Sequence, residues 1–240
     1  MDILYVVGRG SQWYDNELLY SLRSIEQNGI NVGHVYLVGS KPDFISNAIT
    51  YIPCNDSYKC KHKNILYKVL TAIKQSDISS HFLISSDDHY YIKQTDFDNL
   101  PVYYKRKEIL CNNIGDEYIK SLNETRELLQ KYHLPIYQTN PHCNTHFDIE
   151  VYQQHKNIFD QCFKLPHGGE LNCIMGNLLI ANGAKPVFIK DRKIGADISK
   201  DKWQEVSAGT ECISSVPEIY KTYLAQYLVE TFLTKSKYEQ

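Results

Sequence analysis

The sequence predicts an α/β protein, a mostly parallel sheet flanked by helices, and three observations carry that expectation. An apolar run of strand length, Ile3 to Val7, is followed by a helical pattern and then by a second apolar run, His34 to Val38, a spacing that implies a right-handed parallel crossover. A second helical pattern, Lys59 to Lys74, leads into another strand, Phe82-Leu83-Ile84. The strands at Ile3 and Phe82 both run into residues unsuited to burial, Gly8-Arg9-Gly10-Ser11 and Ser85-Ser86-Asp87-Asp88-His89. In open α/β sheets the carboxyl ends of the strands are where ligands bind.

In chain order, Asp15 is the expected N-cap of a helix whose apolar stripe is Leu18, Leu19, Leu22 and Ile25 and whose end is Asn28-Gly29. A Gly39-Ser40-Lys41-Pro42 turn follows the His34 to Val38 strand, and Thr50 to Ile52 makes a shorter one. The Lys59 to Lys74 helix carries Ile65, Leu66, Val69, Leu70 and Ile73 for the sheet. Lys61, His62, Lys63 and Asn64 crowd its first turn, where positive charge opposes the helix dipole and a bound anion would relieve the conflict. The alternative is a solvated charged face. Asp116 to Tyr132 reads as a helix stopped by Leu134-Pro135. The segment Asn140 to Asp148 is so polar that it reads as a functional loop and not as a buried strand. Beyond it come a helix from Leu171 to Ala181, begun by Glu170, a strand from Pro186 to Ile189, and a closing helix from Pro217 to Phe232. The Lys235-Ser236-Lys237 tail is either a floppy end or a phosphate clamp.

Composition narrows the class. The 240 residues suit one domain, with a core large enough to fold alone. Lys and Arg number 26 against 28 Asp and Glu, a net charge of −2, so the chain lacks the global cationic field of a nonspecific nucleic-acid binder while leaving room for local basic faces. Seven cysteines at irregular spacing and an N-terminus without a signal-peptide pattern point to a reducing, cytoplasmic setting. Neither Cys54, Cys60 and His62 nor His142, Cys143 and His146 has the paired spacing of a structural zinc site. No apolar run is long enough for a membrane helix. The 19 tyrosines suit half-buried walls of sugar or base sites.

The chemistry-bearing candidates follow from the strand ends. Adjacent carboxylates at Asp87 and Asp88 suit a hard divalent cation, Mn²⁺ or Mg²⁺, that bridges phosphate oxygens; the alternative is a turn or helix cap. Gly8, Arg9 and Gly10 can lay backbone N–H groups and a guanidinium against a phosphate, or simply make a tight turn. His146 can complete a metal site with Asp88 or hold a phosphate as imidazolium, and Asp148 can act as general base toward an acceptor hydroxyl. Both are also ordinary caps or surface groups. Lys193, after the Pro186 to Ile189 strand, can neutralise a leaving diphosphate.

The segment Asp15-Asn16-Glu17-Leu18-Leu19-Tyr20-Ser21-Leu22-Arg23-Ser24-Ile25-Glu26, the strand ending at Val38-Gly39, the Pro42 turn, Asn64 in the basic helix and Ser86-Asp87-Asp88-His89 resemble the Stealth-type sugar-phosphate transferases. The chain is more similar still to short glycosyltransferase-like bacteriophage proteins, whose C-terminal signature resembles Phe232-Leu233-Thr234-Lys235-Ser236-Lys237-Tyr238-Glu239. The resemblance covers residues 2 to 92, with islands at Thr145-His146-Phe147 and Arg192-Lys193-Ile194; Ser86 departs from it, standing where the family has Asn.

The resemblance implies a GT-A-like, Rossmann-related fold in one glycosyltransferase domain, 1–240. Residues 1–92 would form the nucleotide-sugar and metal half, with Lys63 and Asn64 among the donor-binding residues, and 93–240 the acceptor half. It implies transfer of a sugar from a nucleotide diphospho-sugar to a hydroxyl, with hydroxymethylated pyrimidine in phage DNA as acceptor and the host cytoplasm as location. Two alternatives are a Stealth-like transfer of hexose-1-phosphate to a polysaccharide and a non-catalytic module that binds nucleic acid or glycan.

Overall fold

The structure is a computed structural model, described here for residues 1–110, 116–195 and 198–240. Strand β1 (Asp2–Val7) is the middle of a five-stranded sheet, because Ile3, Leu4 and Tyr5 are fully buried and can be covered only from both faces. The chain continues through α1 (Asn16–Asn28), β2 (Gly29–Ile30), β3 (Val35–Gly39), β4 (Ile49–Pro53), α2 (Lys61–Gln75) and β5 (His81–Ser85). β1 pairs in parallel with β3 and β5, and β3 with β4, so Val7, Gly39, Pro53 and Ser85 all end at one edge.

Next come β6 (His89–Tyr91), β7 (Thr95–Asp96), β8 (Tyr103–Tyr104), α3 (Glu117–Lys131), β9 (Thr145–Asp148), α4 (Ile149–Gln154), α5 (Lys156–Lys164) and α6 (Leu171–Ala181). The last elements are β10 (Val187–Phe188), β11 (Lys193–Ile194), α7 (Lys200–Ala208), β12 (Cys212–Ser215) and α8 (Tyr223–Thr231). β9 completes the main sheet antiparallel to β5, giving the order β4-β3-β1-β5-β9. β11, β12 and β6 form a small second sheet, while β8 pairs with β10 and β2 with β7.

The period of two along the strands divides the core. Leu4, Tyr36, Val38, Phe82, Ile84 and Phe147 pack with Leu66 and Val69 of α2 and Ile174 and Leu178 of α6. Ile3, Tyr5, Val7, Leu37 and Leu83 face Leu18, Leu22 and Ile25 of α1. Each such side chain contributes roughly 1.5–3 kcal/mol by leaving water. A third cluster, Tyr90, Ile213, Trp203, Leu224 and Leu228, seals β6 and β12 under α7 and α8. No helix among the described residues is long and apolar enough to cross a membrane.

Four expectations need correction. The polar stretch before Asp148 does enter a buried strand. Thr145, His146 and Phe147 lie in β9, where Phe147 stacks on Phe82 at 5.2 Å and the polar ring of His146 has partners on both nitrogens. Asp15 does not cap α1 with its side chain; it sits at φ 60°, and Ser11 organises the turn instead, its Oγ accepting from the backbone N–H groups of Trp13 and Asp15. The closing helix is split, with a 3₁₀ turn at Pro217–Lys221 before α8. The tail is not a floppy end. Tyr238 is buried, Glu239 forms a two-point ion pair with Arg23 at 2.7 and 2.9 Å, and Lys237 lies 3.4 Å from Glu26.

Candidate active site

The acidic pair stands at the carboxyl end of β5, as the strand pattern implies. β5 stops at Ser85 and a turn closed by His89 N–H donating to Ser86 C=O launches β6, so Asp87 and Asp88 occupy the bend. Both are half-buried. Burial, then the charges of Asp88 and Glu17, push the Asp87 carboxyl up to about 7, while Lys61 pulls the other way. Asp88 is held from the second sheet, where Ser214 Oγ donates to its Oδ2 at 2.7 Å. Ser214 in β12 is in register with His89 in β6 and with Lys193 in β11, which brings the exposed Lys193 to the same row.

Gly8, Arg9 and Gly10 follow β1, the strand beside β5, and all three are exposed. Continuing the Tyr5–Ser85 register, this loop and the acidic pair end neighbouring strands about 5 Å apart. A Cβ at Gly8 or Gly10 would meet no atom of the described residues within 4 Å, and Gly10 takes φ +119°, a conformation that suits glycine. Ser11 donates to Glu17 Oε2 at 2.6 Å, which ties the loop to the buried first turn of α1.

On the α2 side, the charge of Lys61 bears on both Asp87 and His62, and the ring of His62 stacks on Tyr118 at 6.1 Å. Lys63 packs against Gly168 and so supports the Gly168-Gly169 turn that leads to Glu170. Asn64 is committed elsewhere. Its amide accepts from Tyr58 N–H at 2.8 Å and donates to Tyr58 C=O at 2.7 Å, bracing the turn before α2, which removes it from the donor-binding set. Glu170 caps α6 through one oxygen, donated to by Cys173 N–H, and its charge also bears on His62 and Tyr118. Asn140 Nδ2 donates to Tyr118 Oη at 2.8 Å, whereas Gln138 Oε1 and Asn140 Oδ1 are buried with no hydrogen-bond partner among the described residues. Unpaired buried amide oxygens are costly, and donor hydroxyls would satisfy them.

On the side of the second sheet, His142 faces Asp191. Its Nδ1 lies 2.8 and 2.9 Å from the two carboxylate oxygens, and its backbone N–H donates to Oδ1 at 2.8 Å. Lys105 Nζ adds a contact at 3.1 Å. Burial alone would raise the Asp191 pKa, but His142 and Lys105 outweigh it and hold the carboxyl well below its usual range. An imidazole fixed through Nδ1 by a carboxylate presents Nε2 as a base, the arrangement that orients catalytic histidines.

His146 and Asp148 do not join this group. β9 runs antiparallel to β5, so Asp148 pairs with His81 at the start of β5, four residues from its acidic end, about 13 Å away at strand rise. Asp148 Oδ1 accepts from Val151 N–H and caps α4, which makes it a structural cap and not a base toward an acceptor at Asp88. His146 pairs with Leu83 in mid-strand; its Nε2 donates to Leu100 C=O at 2.8 Å and its Nδ1 lies 3.0 Å from His81 Nε2. With both ring nitrogens engaged in mid-strand it is no metal ligand beside Asp88, and burial, with His81 adding to it, pushes its pKa down to about 4, so it is no imidazolium for phosphate.

Ser214 and the His142–Asp191 pair escape sequence reading because their partners lie 126 and 49 residues away. The signals present were the charge at Asp191 after a strand and the carboxylate of Glu170 opening a helix.

The acidic pair fits a hard divalent cation on its own chemistry. Two adjacent carboxylates share a desolvated bend and one is pushed toward neutrality for lack of compensating charge. Among the described residues no group of three His, Cys, Asp or Glu side chains converges as a metal cage. Remaining ligands would come from substrate oxygens and water, as is usual for Mg²⁺ and Mn²⁺.

The mostly parallel sheet of this order, closed by one antiparallel strand, has the GT-A type of α/β fold, which it shares with solved structures. The solved structure of the galactosyltransferase LgtC in complex with donor and acceptor sugar analogues is similar over 97% of this chain and 95% of that chain, with a TM-score of 0.50 at 10% identity. An active-site mutant of LgtC is similar over 96% and 94% of the two chains, with a TM-score of 0.48 at 10% identity. No protein-family model matches the chain, and no curated protein is similar to it in sequence.

Proposed function

We infer that the protein is a glycosyltransferase that moves a sugar from a nucleotide diphospho-sugar to a hydroxyl acceptor. The observation that carries this is the joint ending of β1 in Gly8-Arg9-Gly10 and of β5 in Asp87-Asp88 at one edge of a GT-A sheet. Asp87 and Asp88 hold the divalent cation, Mn²⁺ or Mg²⁺, and Ser214 fixes the rotamer of Asp88. When bound, that cation supplies Lewis-acid stabilisation of charge on the leaving diphosphate.

The Gly8–Gly10 backbone and the Arg9 guanidinium bind the diphosphate, and Lys61, Lys63 and Lys193 add positive potential around it. Gln138, Asn140, Tyr118 and Glu170 take hydroxyls of the transferred sugar. His142, oriented by Asp191, receives the acceptor's proton at Nε2 as the acceptor oxygen attacks the anomeric carbon. The resemblance to phage proteins points to hydroxymethylated pyrimidine in DNA as that acceptor.

The test is calorimetric titration of nucleoside diphosphates, with and without Mn²⁺, into wild type and Asp88→Asn. Mn²⁺-dependent binding of one nucleotide, lost in the variant, is the expected result. Failure of every nucleotide to bind overturns the reading. Affinity unchanged in Asp88→Asn favours a non-catalytic module, and release of nucleoside monophosphate on turnover favours the Stealth-like phosphate transfer.

A further inference from the structure

Strand β6 is paired along one edge only. Tyr90 pairs with Ile213 and Ile92 N–H donates to Glu211 C=O at 2.8 Å, so the backbone groups of these two residues face β12, and those of His89 and Tyr91, one residue out of step, face the other way. Among the described residues no strand pairs with β6 on that side. Buried backbone groups need partners, and α1 supplies them. Ser21 Oγ donates to His89 C=O at 2.5 Å, Ser24 Oγ accepts from Tyr91 N–H at 3.0 Å, and Asn28 Nδ2 donates to Tyr91 C=O at 2.6 Å.

Spacings of three and four put Ser21, Ser24 and Asn28 in one row along the helix, and Glu17 extends the row by a turn. Both serines are fully buried, although the apolar face of α1 is Leu18, Leu22 and Ile25. A buried hydroxyl is costly unless it is bonded, and these two are spent on β6. Ser21 also reaches the main sheet. Its own proton goes to His89, so Tyr5 Oη, 2.9 Å away in β1, donates to it. At the start of the row Glu17 accepts from Ser11 Oγ at 2.6 Å and so takes hold of the loop that carries Gly8 and Gly10.

The row joins two sheets that no strand pairing joins. On one side stand β1 and its glycine loop; on the other stand β6 and, through it, β12, whose Ser214 holds Asp88. We propose that Ser21, Ser24 and Asn28 are positioning residues: they set where β6 and β12 stand against β1, and thereby hold Asp88 opposite the Gly8–Gly10 loop without touching substrate. The proposal rests on the transferase reading for the purpose of that placement, while the placement itself is measurable without a ligand.

Two measurements on wild type and a Ser21→Ala, Ser24→Ala double variant test it. In metal-free protein, amide exchange is followed by NMR at Tyr91, which loses its acceptor, at Ile92 and Ser214, whose amides bond Glu211 and Arg192 across the second sheet, and at Leu37 in β3 as internal reference. Calorimetry then gives the affinity for Mn²⁺ with the nucleoside diphosphate that wild type binds, and Ile158→Val, a core substitution in α5, controls for lowered stability. The expected result is exchange at least tenfold faster at Tyr91, Ile92 and Ser214 relative to Leu37, with affinity at least tenfold weaker in the serine variant and unchanged in Ile158→Val.

A serine variant that does not fold is replaced by Asn28→Asp, half-buried and equal in size, which sets an acceptor against Tyr91 C=O. If wild type itself binds neither Mn²⁺ nor nucleotide, the transferase reading falls, and exchange at Ile92 and Ser214 decides the placement alone. Faster exchange confined to Tyr91, or Mn²⁺ and nucleotide binding as tight in the serine variant as in wild type, would overturn the proposal.

Discussion

Asp87 links the folding stability of the metal-free protein to pH in an unusual direction. Its carboxyl is pushed from 3.8 up to about 7 by burial and by Asp88 and Glu17, so the folded state holds a proton that the unfolded chain releases near pH 4. A group with a raised folded pKa stabilises below its unfolded value and loses that contribution as pH climbs through the folded one, here between pH 4 and 7. Three units at about 1.4 kcal/mol each put the loss on the order of 4 kcal/mol, reduced by whatever solvent reaches the bend. Asp87→Asn removes the penalty. Urea unfolding with a chelator present is therefore expected to show wild type losing stability from pH 5 to pH 8 relative to Asp87→Asn, and Mn²⁺ restoring it at pH 8. Parallel pH profiles for the two proteins would refute the electrostatic account of the acidic bend.

Three further outcomes are expected. Arg23→Ala leaves Glu239, whose side chain is 5% exposed, without its ion-pair partner, and should cost about 3–5 kcal/mol in urea unfolding; a loss under about 1 kcal/mol would mean that the tail's other contacts hold it without this pair. Asp148→Ala removes a helix cap and should cost about 1 kcal/mol with nucleotide binding and turnover unchanged, whereas lost turnover at full stability would return Asp148 to the catalytic group. The ring resonances of His146 should titrate near pH 4, with folded stability declining by roughly 3 kcal/mol as pH falls from 6.5 toward 4, because the folded state excludes the proton that the unfolded chain accepts; a midpoint near 6.5 would contradict its burial.

Local patterns were legible where one element supplies its own signal. The helix from Leu171 to Ala181 matches its expected bounds because Glu170 opens it and Asn182-Gly183 ends it, and the acidic pair falls at a strand end because three buried apolar residues precede it. Legibility failed where polarity is satisfied from afar. Nothing in Thr145-His146-Phe147-Asp148 announces a buried strand, since its acceptability depends on His81 and on the carbonyl of Leu100. Asp15 has the right residue type for a cap, yet it sits at φ 60° with no side-chain cap bond, and its own N–H donates to Ser11 four residues earlier. The site divides the same way: Asp87 and Asp88 follow from strand logic, but Ser214 and the pairing of His142 with Asp191 exist only through tertiary contacts.

The reversed direction of β9 alters where new chemistry can enter this protein. Along the four parallel strands, whatever reaches the working edge must come after a strand, in turns that also launch the next helix or ribbon. Along β9 it comes before the strand, so Asn140, His142 and Asn144 arrive on a single approach segment with no helix to start. That segment can exchange side chains, and with them reaction preference, while Phe147 keeps its place against Phe82 and the sheet beneath stays as it is.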